Sequence, residues 1–181
     1  WASPDIEPND GLAWADFDQD GDLDLALAGT GVAPSRVYEN VGGNLVSFWA
    51  QPDGSVCSSD RLAWGDVDDD GDLDLAMNCG SSAPDRVYEN DPSEACGERF
   101  CPLWESPYAS TTIGIAWGDW DGDGDLDLAL GAMPGPIRIF GNVGGDLGSA
   151  PVWESAESAE YTGLAFGDLD GDGDLDLAAV A

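Results

Sequence analysis

Short runs of alternating large apolar and small residues recur along the chain, separated by stretches of aspartate and glycine. In Leu12-Ala13-Trp14-Ala15-Asp16 the large residues point one way and the alanines the other, a period of two that predicts a strand. After an aspartate-rich stretch a second run places Leu23, Leu25 and Leu27 on one face and Asp24, Ala26 and Ala28 on the other. Beyond Asp24 that second face is alanine rather than charge, so both faces are expected to be buried against neighbours. RVYEN at 36–40 and FWAQP at 48–52 supply two further β-rich segments, with Gly-Gly, Asn and Pro turn signals around them. No segment has a helical period.

The whole pattern repeats. LAWADFDQDGDLDLALAG from Leu12 returns as LAWGDVDDDGDLDLAMNCG from Leu62, IAWGDWDGDGDLDLALGA from Ile115 and LAFGDLDGDGDLDLAAVA from Leu164. The leading aspartates, Asp16, Asp66, Asp119 and Asp168, are 50, 53 and 49 residues apart. RVYEN recurs at 86–90 and as RIFGN at 138–142, and a tryptophan segment follows each, LWESP at 103–107 and VWESA at 152–156. Four short strands per repeat of about 40–50 residues is the arithmetic of a β-propeller blade. The predicted fold is therefore all-β, a single propeller repeat array over 1–181 with repeat cores near 12–49, 62–104, 115–153 and 164–181. It holds three complete repeats and part of a fourth, opening on an outermost strand and ending on a second strand. The expected neighbours are further blades of the same chain or adjoining subunits, in a homo-oligomer or a filament.

Composition narrows the partners. Of 181 residues 43% are hydrophobic, which argues against an acidic disordered tail despite a formal net charge of −32. The five basic residues are all arginine, and histidine is absent. Such a surface repels nucleic acid and anionic membrane, and no apolar run is long enough to span a bilayer. The first residues carry neither a basic nor an apolar leader region, as expected of a mature terminus or an excerpt. Cys57, Cys79, Cys96 and Cys101 lack a CxxC pair or a histidine partner, so disulfides are expected rather than thiolate metal binding, and with them an oxidising compartment. The predicted pairs are Cys57–Cys79, across the two ends of a strand-one/strand-two hairpin, and Cys96–Cys101, within an insertion that explains the 53-residue spacing.

Chemistry concentrates between strands one and two. Asp16, Asp18, Asp20, Asp22 and Asp24 occupy positions 1, 3, 5, 7 and 9 of a nine-residue loop. The same five positions hold Asp66, Asp68, Asp70, Asp72 and Asp74; then Asp119, Asp121, Asp123, Asp125 and Asp127; and finally Asp168, Asp170, Asp172, Asp174 and Asp176. So many like charges in nine residues are costly without a cation among them. Ca²⁺, which takes six to eight oxygen ligands in flexible geometry, suits the arrangement, giving four expected sites. Glycine at position 6 permits the sharp turn. By analogy with other such loops, positions 1, 3, 5 and 9 would give side-chain oxygens and position 7 its backbone carbonyl. An EF-hand needs glutamate at position 12 and flanking helices; here position 12 is Leu27, Met77, Leu130 and Ala179, and both flanks are strands.

The run G-D-x-D-G-D-G-D-L-D-L, preceded by a small-residue strand and returning about every fifty residues, resembles the FG-GAP/VCBS repeats of integrin-type β-propellers. The resemblance covers nearly the whole chain. It implies an extracellular or cell-surface, calcium-stabilised propeller used for adhesion, ligand binding or as a scaffold.

Other residues add less. Trp14, Trp64, Trp117 and Phe166 share one register, and Trp49, Trp104 and Trp153, with Trp1, share another; packing between blades is the expected role. Trp120 has no aromatic counterpart except Phe17. Arg36, Arg86 and Arg138 share a register and are expected to pair with carboxylates, whereas Arg61 and Arg99 are unmatched and free to meet a ligand. No histidine, lysine or base-partnered serine suggests catalysis. The expected role is a non-enzymatic structural, adhesive or assembly module; a glycan-binding, lectin-like propeller, a protein-ligand module and the non-catalytic portion of a secreted polysaccharide-active enzyme are the alternatives.

Overall fold

A computed structural model describes residues 9–30, 33–52, 61–80, 83–93 and 95–181. Its strands are β1 (Asn9–Ala15), β2 (Asp24–Gly29), β3 (Arg36–Asn40), β4 (Leu45–Ala50), β5 (Leu62–Gly65), β6 (Asp74–Met77), β7 (Arg86–Asn90) and β8 (Phe100–Glu105). They continue as β9 (Thr112–Gly118), β10 (Asp127–Ala132), β11 (Ile137–Phe140), β12 (Asn142–Val143), β13 (Asp146–Leu147), β14 (Trp153–Glu154), β15 (Gly163–Gly167) and β16 (Asp176–Val180). No helix occurs among the described residues, so none is long and apolar enough to cross a membrane.

Three four-stranded antiparallel sheets follow one another: β1-β2-β3-β4, β5-β6-β7-β8 and β9-β10-β11-β14. The hairpin β15-β16 repeats the first half of the same pattern. Registers recur as well: Trp14 faces Leu25, Trp64 faces Leu75 and Trp117 faces Leu128. Even an irregularity is copied, between Val37 and Tyr38 in the first sheet and Val87 and Tyr88 in the second. The third sheet adds the small β12-β13 hairpin, which the sequence pattern did not separate from strand three.

Strand two is buried along its whole length in all three sheets, as the alanine face requires. Leu25 and Leu27 cluster with Tyr38 and Leu45 of their own sheet, and the larger cores join adjoining sheets. One core joins Phe17, Val37 and Trp49 of the first sheet to Leu75, Met77, Tyr88 and Phe100 of the second. Another joins Val67, Ala76 and Val87 of the second to Leu128, Leu130 and Phe140 of the third. The hydrophobic free energy therefore resides between repeats, since one sheet alone cannot bury its faces. First strands pack in succession, β1 on β5, β5 on β9 and β9 on β15.

The recurring aromatics mediate that stacking. Trp64 lies parallel to Phe17 at 6.2 Å and donates its indole N–H to the Ala13 carbonyl of the preceding sheet. Trp117 donates to Ala63 in the same way. In the outer register Trp49 packs edge-on to Tyr88, and Trp104 to Phe140. Trp120 contacts Trp153 and Phe166 rather than standing free. Trp1 lies outside the described residues.

The Cys96–Cys101 disulfide is present. Cys57, of the other predicted pair, lies outside the described residues. Arg86 pairs with Glu105 and Arg138 with Glu154. Arg99, unmatched in the repeat, contacts the Asn90 side chain.

Candidate metal centre

Each strand-one/strand-two hairpin is closed by an aspartate loop whose own carboxylates fold it. Position 1 receives the position 6 amide: Gly21 to Asp16 at 3.0 Å, and Gly71 to Asp66, Gly124 to Asp119 and Gly173 to Asp168 at 3.1 Å each. Position 5 receives the position 7 amide, as in Asp22 to Asp20 at 2.8 Å. Those bonds require the backbone to turn left-handed at position 6, where φ is +95° at Gly21 and +104° at Gly124. Position 4 is left-handed as well. Gly122 and Gly171 suit it, but Gln19 at 61° and Asp69 at 60° occupy it in the first two loops, a requirement the sequence reading missed.

Position 9 ties the loop to the sheet. Asp24, Asp74 and Asp127 are each 1% exposed. One oxygen of each accepts the position 2 amide, from Phe17 at 3.2 Å, Val67 at 2.7 Å and Trp120 at 2.8 Å. The other accepts the amide of an asparagine at the end of or just after strand three: Asn40 at 2.7 Å and Asn90 at 2.8 Å, the last residues of β3 and β7, and Asn142 at 2.8 Å, which follows β11 and opens β12. Desolvation pushes all three carboxyls above the usual carboxylate range, against those hydrogen bonds, and carries Asp74 to about 7.

Carboxylate oxygens converge in every loop. Asp16, Asp18 and Asp24 bring one oxygen each within 4.8 Å of the others, as do Asp119, Asp121 and Asp127, and Asp168, Asp170 and Asp176; in the second loop the trio is Asp66, Asp68 and Asp70. Asp16 Oδ1 and Asp68 Oδ1 are buried without a hydrogen-bond partner, which is unfavourable unless a cation completes them. An all-oxygen, all-carboxylate donor set fits a hard divalent cation. The groups could hold metal ions, and those two orphaned oxygens are the strongest local sign of it.

The remaining predicted ligands are placed differently. Position 5 (Asp20, Asp123, Asp172) is outside the converging trio in three loops, engaged with the position 7 amide. Position 7 turns outward: Asp72 accepts from Gln19 Nε2 at 2.8 Å and Asp125 from the Gly144 amide at 2.6 Å. Asp22 and Asp174 are likewise outside the trios. Sequence reasoning missed the strand-three asparagines. The signal was present, because Asn40, Asn90 and Asn142 hold one register after each complete loop.

Fold and site together define an all-β repeat protein with one cation-competent acidic loop per sheet. The sequence matches the FG-GAP-like repeat three times, over residues 16–77, 66–130 and 119–179, each match spanning two successive loops. The chain belongs to the FG-GAP-like repeat family. No curated protein matches it. Among solved structures it is similar to the computationally designed Ika4 protein, with TM-score 0.60 and 14% identity, covering 98% of this chain and 94% of that one. It is also similar to BBS1N from a complex with ARL6DN, with TM-score 0.62 and 14% identity over 94% of this chain and 54% of that one. The V. cholerae biofilm matrix protein Bap1 gives TM-score 0.60 and 14% identity over 96% of this chain. This chain spans only 28% of Bap1. At such identities the likeness is one of fold.

Proposed function

We propose that the chain is a calcium-stabilised β-propeller module of an extracellular protein, with a structural, adhesive or assembly role and no catalysis. The observation that carries the reading is the convergence of three carboxylates in each successive loop, with a buried, orphaned oxygen in the first two. Asp16, Asp18 and Asp24, then Asp66, Asp68 and Asp70, Asp119, Asp121 and Asp127, and Asp168, Asp170 and Asp176, would hold the ions, with Asp74 joining the trio in loop 2. Positions 5 and 7 complete the set, the latter through its carbonyl. A bound cation supplies the positive charge that lets these carboxylates stay ionised and close together. An extracellular location is supported by the disulfide and by the matrix-protein neighbour.

Partners are further blades, in the same chain or in a neighbouring subunit. Trp14, whose equivalents fill the preceding sheet, is 52% exposed. A hollow of about 280 Å³ beside Ala165, Phe166, Gly167 and Leu169 lies in the register where Trp64 meets the first sheet. The two features complement each other, as in a head-to-tail contact.

Calcium titration by calorimetry on chelator-treated protein tests the reading. Uptake of four ions, with a large rise in Tm and poor rescue by Mg²⁺, is expected. An identical melting curve in chelator and in calcium overturns it.

A further inference from the structure

The aspartate loops of successive sheets are joined by an unbroken line of hydrogen bonds. Phe17 and Val67 stand at position 2 of loops 1 and 2, between carboxylates 1 and 3. Their carbonyls accept the side-chain amides of Asn90, at 2.9 Å, and Asn142, at 2.6 Å, which belong to the next sheet. The same asparagines donate their backbone N–H to Asp74 and Asp127, the position 9 carboxylates of the next loop, at 2.8 Å. The second oxygen of each carboxylate accepts the position 2 amide of its own loop, from Val67 and Trp120. The line thus runs from the Phe17 carbonyl through Asn90, Asp74, the Val67 peptide, Asn142 and Asp127 to Trp120.

Gln19 adds a second bridge from loop 1, to the Gly71 carbonyl and the Asp72 carboxylate. Asn40 makes the local bond without a bridge: its amide turns to Leu23 of its own loop at 3.1 Å, as the Asn142 amide also does to Leu126 beside its bond to Val67. In loop 4, Asp176 accepts the position 2 amide of Leu169.

We propose that loops 1, 2 and 3 form one cooperative unit for divalent cations, coupled through Asn90 and Asn142. The proposal rests on the calcium reading above. An ion that fixes Asp74 also fixes the Asn90 peptide bonded to it. The ordered Asn90 amide in turn holds the Phe17 peptide, whose flanking residues are Asp16 and Asp18. The first ion thus bears the ordering cost that its neighbour would otherwise meet. Coupling is reciprocal, and 5–150-fold is its usual range; about tenfold per link is expected here.

Calorimetric calcium titration of the chelator-stripped chain is the test, with circular dichroism confirming that each variant is folded. The wild type should show a cooperative class of at least three ions. Asn142→Ala keeps the backbone N–H to Asp127 and loses the bridge to Val67 together with two local bonds, to the Leu126 carbonyl and from the Gly145 amide, whose equivalents at Leu23 and Gly43 are the ones Asn40→Ala removes. The Asn142 variant should uncouple loop 3 and weaken its apparent affinity about tenfold. Asn90→Ala should uncouple loop 1 in part, since Gln19 remains, and it keeps the test open if Asn142→Ala does not fold. Asn40→Ala, which removes an amide directed into its own loop, should leave the cooperative class intact. Four equal, independent sites would overturn the coupling while leaving the calcium reading standing. Cooperativity that survives both bridge variants would overturn it as well, because it would then come from global folding. Absence of any calcium binding overturns both readings together.

Discussion

Loops 3 and 4 have almost the same sequence and quite different surroundings. Residues 119–127 and 168–176 differ only at position 2, Trp120 against Leu169. Both turn left-handed at positions 4 and 6, and in both the position 1 carboxylate accepts the position 6 amide. Yet Asp127 is buried between two peptide amides and held above the usual carboxylate range by desolvation, while Asp176 is exposed and accepts one. What separates them is strand three. Asn142 sits against Asp127, and no counterpart sits against Asp176 among the described residues. The loop's own sequence sets its turn geometry, and the neighbouring strand sets its dielectric and its rigidity.

The largest expected effect breaks that comparison directly. In chelator, Asp127→Ala strands two backbone N–H donors and should cost about 2–6 kcal/mol, at about 1–3 kcal/mol for each buried donor left unpaired. Asp176→Ala, exposed and singly bonded, should cost about 1 kcal/mol or less. Urea unfolding of both variants without calcium measures the difference. Equal losses would mean that the loop, and not strand three, determines the strength of the site.

A second contrast concerns the register before strand three. Ser35 in the first sheet accepts the Gly29 amide; in the second sheet Asp85 takes that place, accepting from the Cys79 amide and the Thr112 hydroxyl. Burial pushes the Asp85 carboxyl up to about 7. Unfolded, it titrates near the ordinary value of 3.8. Between those values the folded chain binds the proton and the unfolded chain does not, so stability falls as pH rises from about 4 to about 7 and is level above. At 1.36 kcal/mol per unit the ceiling is about 4 kcal/mol. Asp85→Asn should flatten that slope and stabilise the protein at pH 8, since the Thr112 hydroxyl can rotate to accept from the new amide. Melting curves across pH belong in saturating calcium, where the ion keeps the similarly raised Asp74 ionised. An unchanged slope would assign it to other carboxyls.

Much of this was legible beforehand. The period-two runs located strands one and two, and the fifty-residue recurrence gave four strands per sheet and the stacking role of Trp64 and Trp117. The short Cys96–Cys101 loop gave its disulfide. The shared register of Asn40, Asn90 and Asn142 was legible, but the side-chain bridges of Asn90 and Asn142 were not, because a contact across sheets leaves no periodicity within one repeat. The left-handed position 4 was hidden for a different reason. Gln19 and Asp69 occupy it in half the loops, masking the glycine signal that Gly122 and Gly171 carry.

A third contrast is the small residue before each loop. A methyl group on Gly118 would lie 2.5 Å from the Phe166 ring, whereas one on Gly167 would meet nothing within 4 Å. Gly118→Ala should cost about 1–2 kcal/mol through overpacking, and Gly167→Ala should be neutral or slightly stabilising. Ala15 limits the expected cost, because the first sheet carries that methyl naturally with Trp64 packed across the interface. Thermal denaturation resolves the pair, and an equal response would show that Phe166 shifts freely.

The smallest expected effect tests the backbone of the loops themselves. Position 4 has φ of 60° at Asp69 and 61° at Gln19, against 76° at Gly122 and 78° at Gly171. A side chain in this region is strained, less so for aspartate than for most residues. Glycine removes the strain but gains entropy in the unfolded chain, which offsets part of the benefit. Asp69 is exposed, and its charge adds to the repulsion among the loop carboxylates. Asp69→Gly should therefore stabilise by about 0.5 kcal/mol, a rise in Tm of about 1–2 °C for a chain of this size. The gain should be larger in chelator, where no cation offsets the charges. Gln19→Gly relieves the same strain and also removes the bonds to Gly71 and Asp72, worth about 1 kcal/mol each at most on an exposed surface. Its net effect should be zero or destabilising. Opposite signs at one register would separate the demands of the turn from those of the bridge between loops, and a matching gain in both variants would leave the Gln19 bridge without energetic weight.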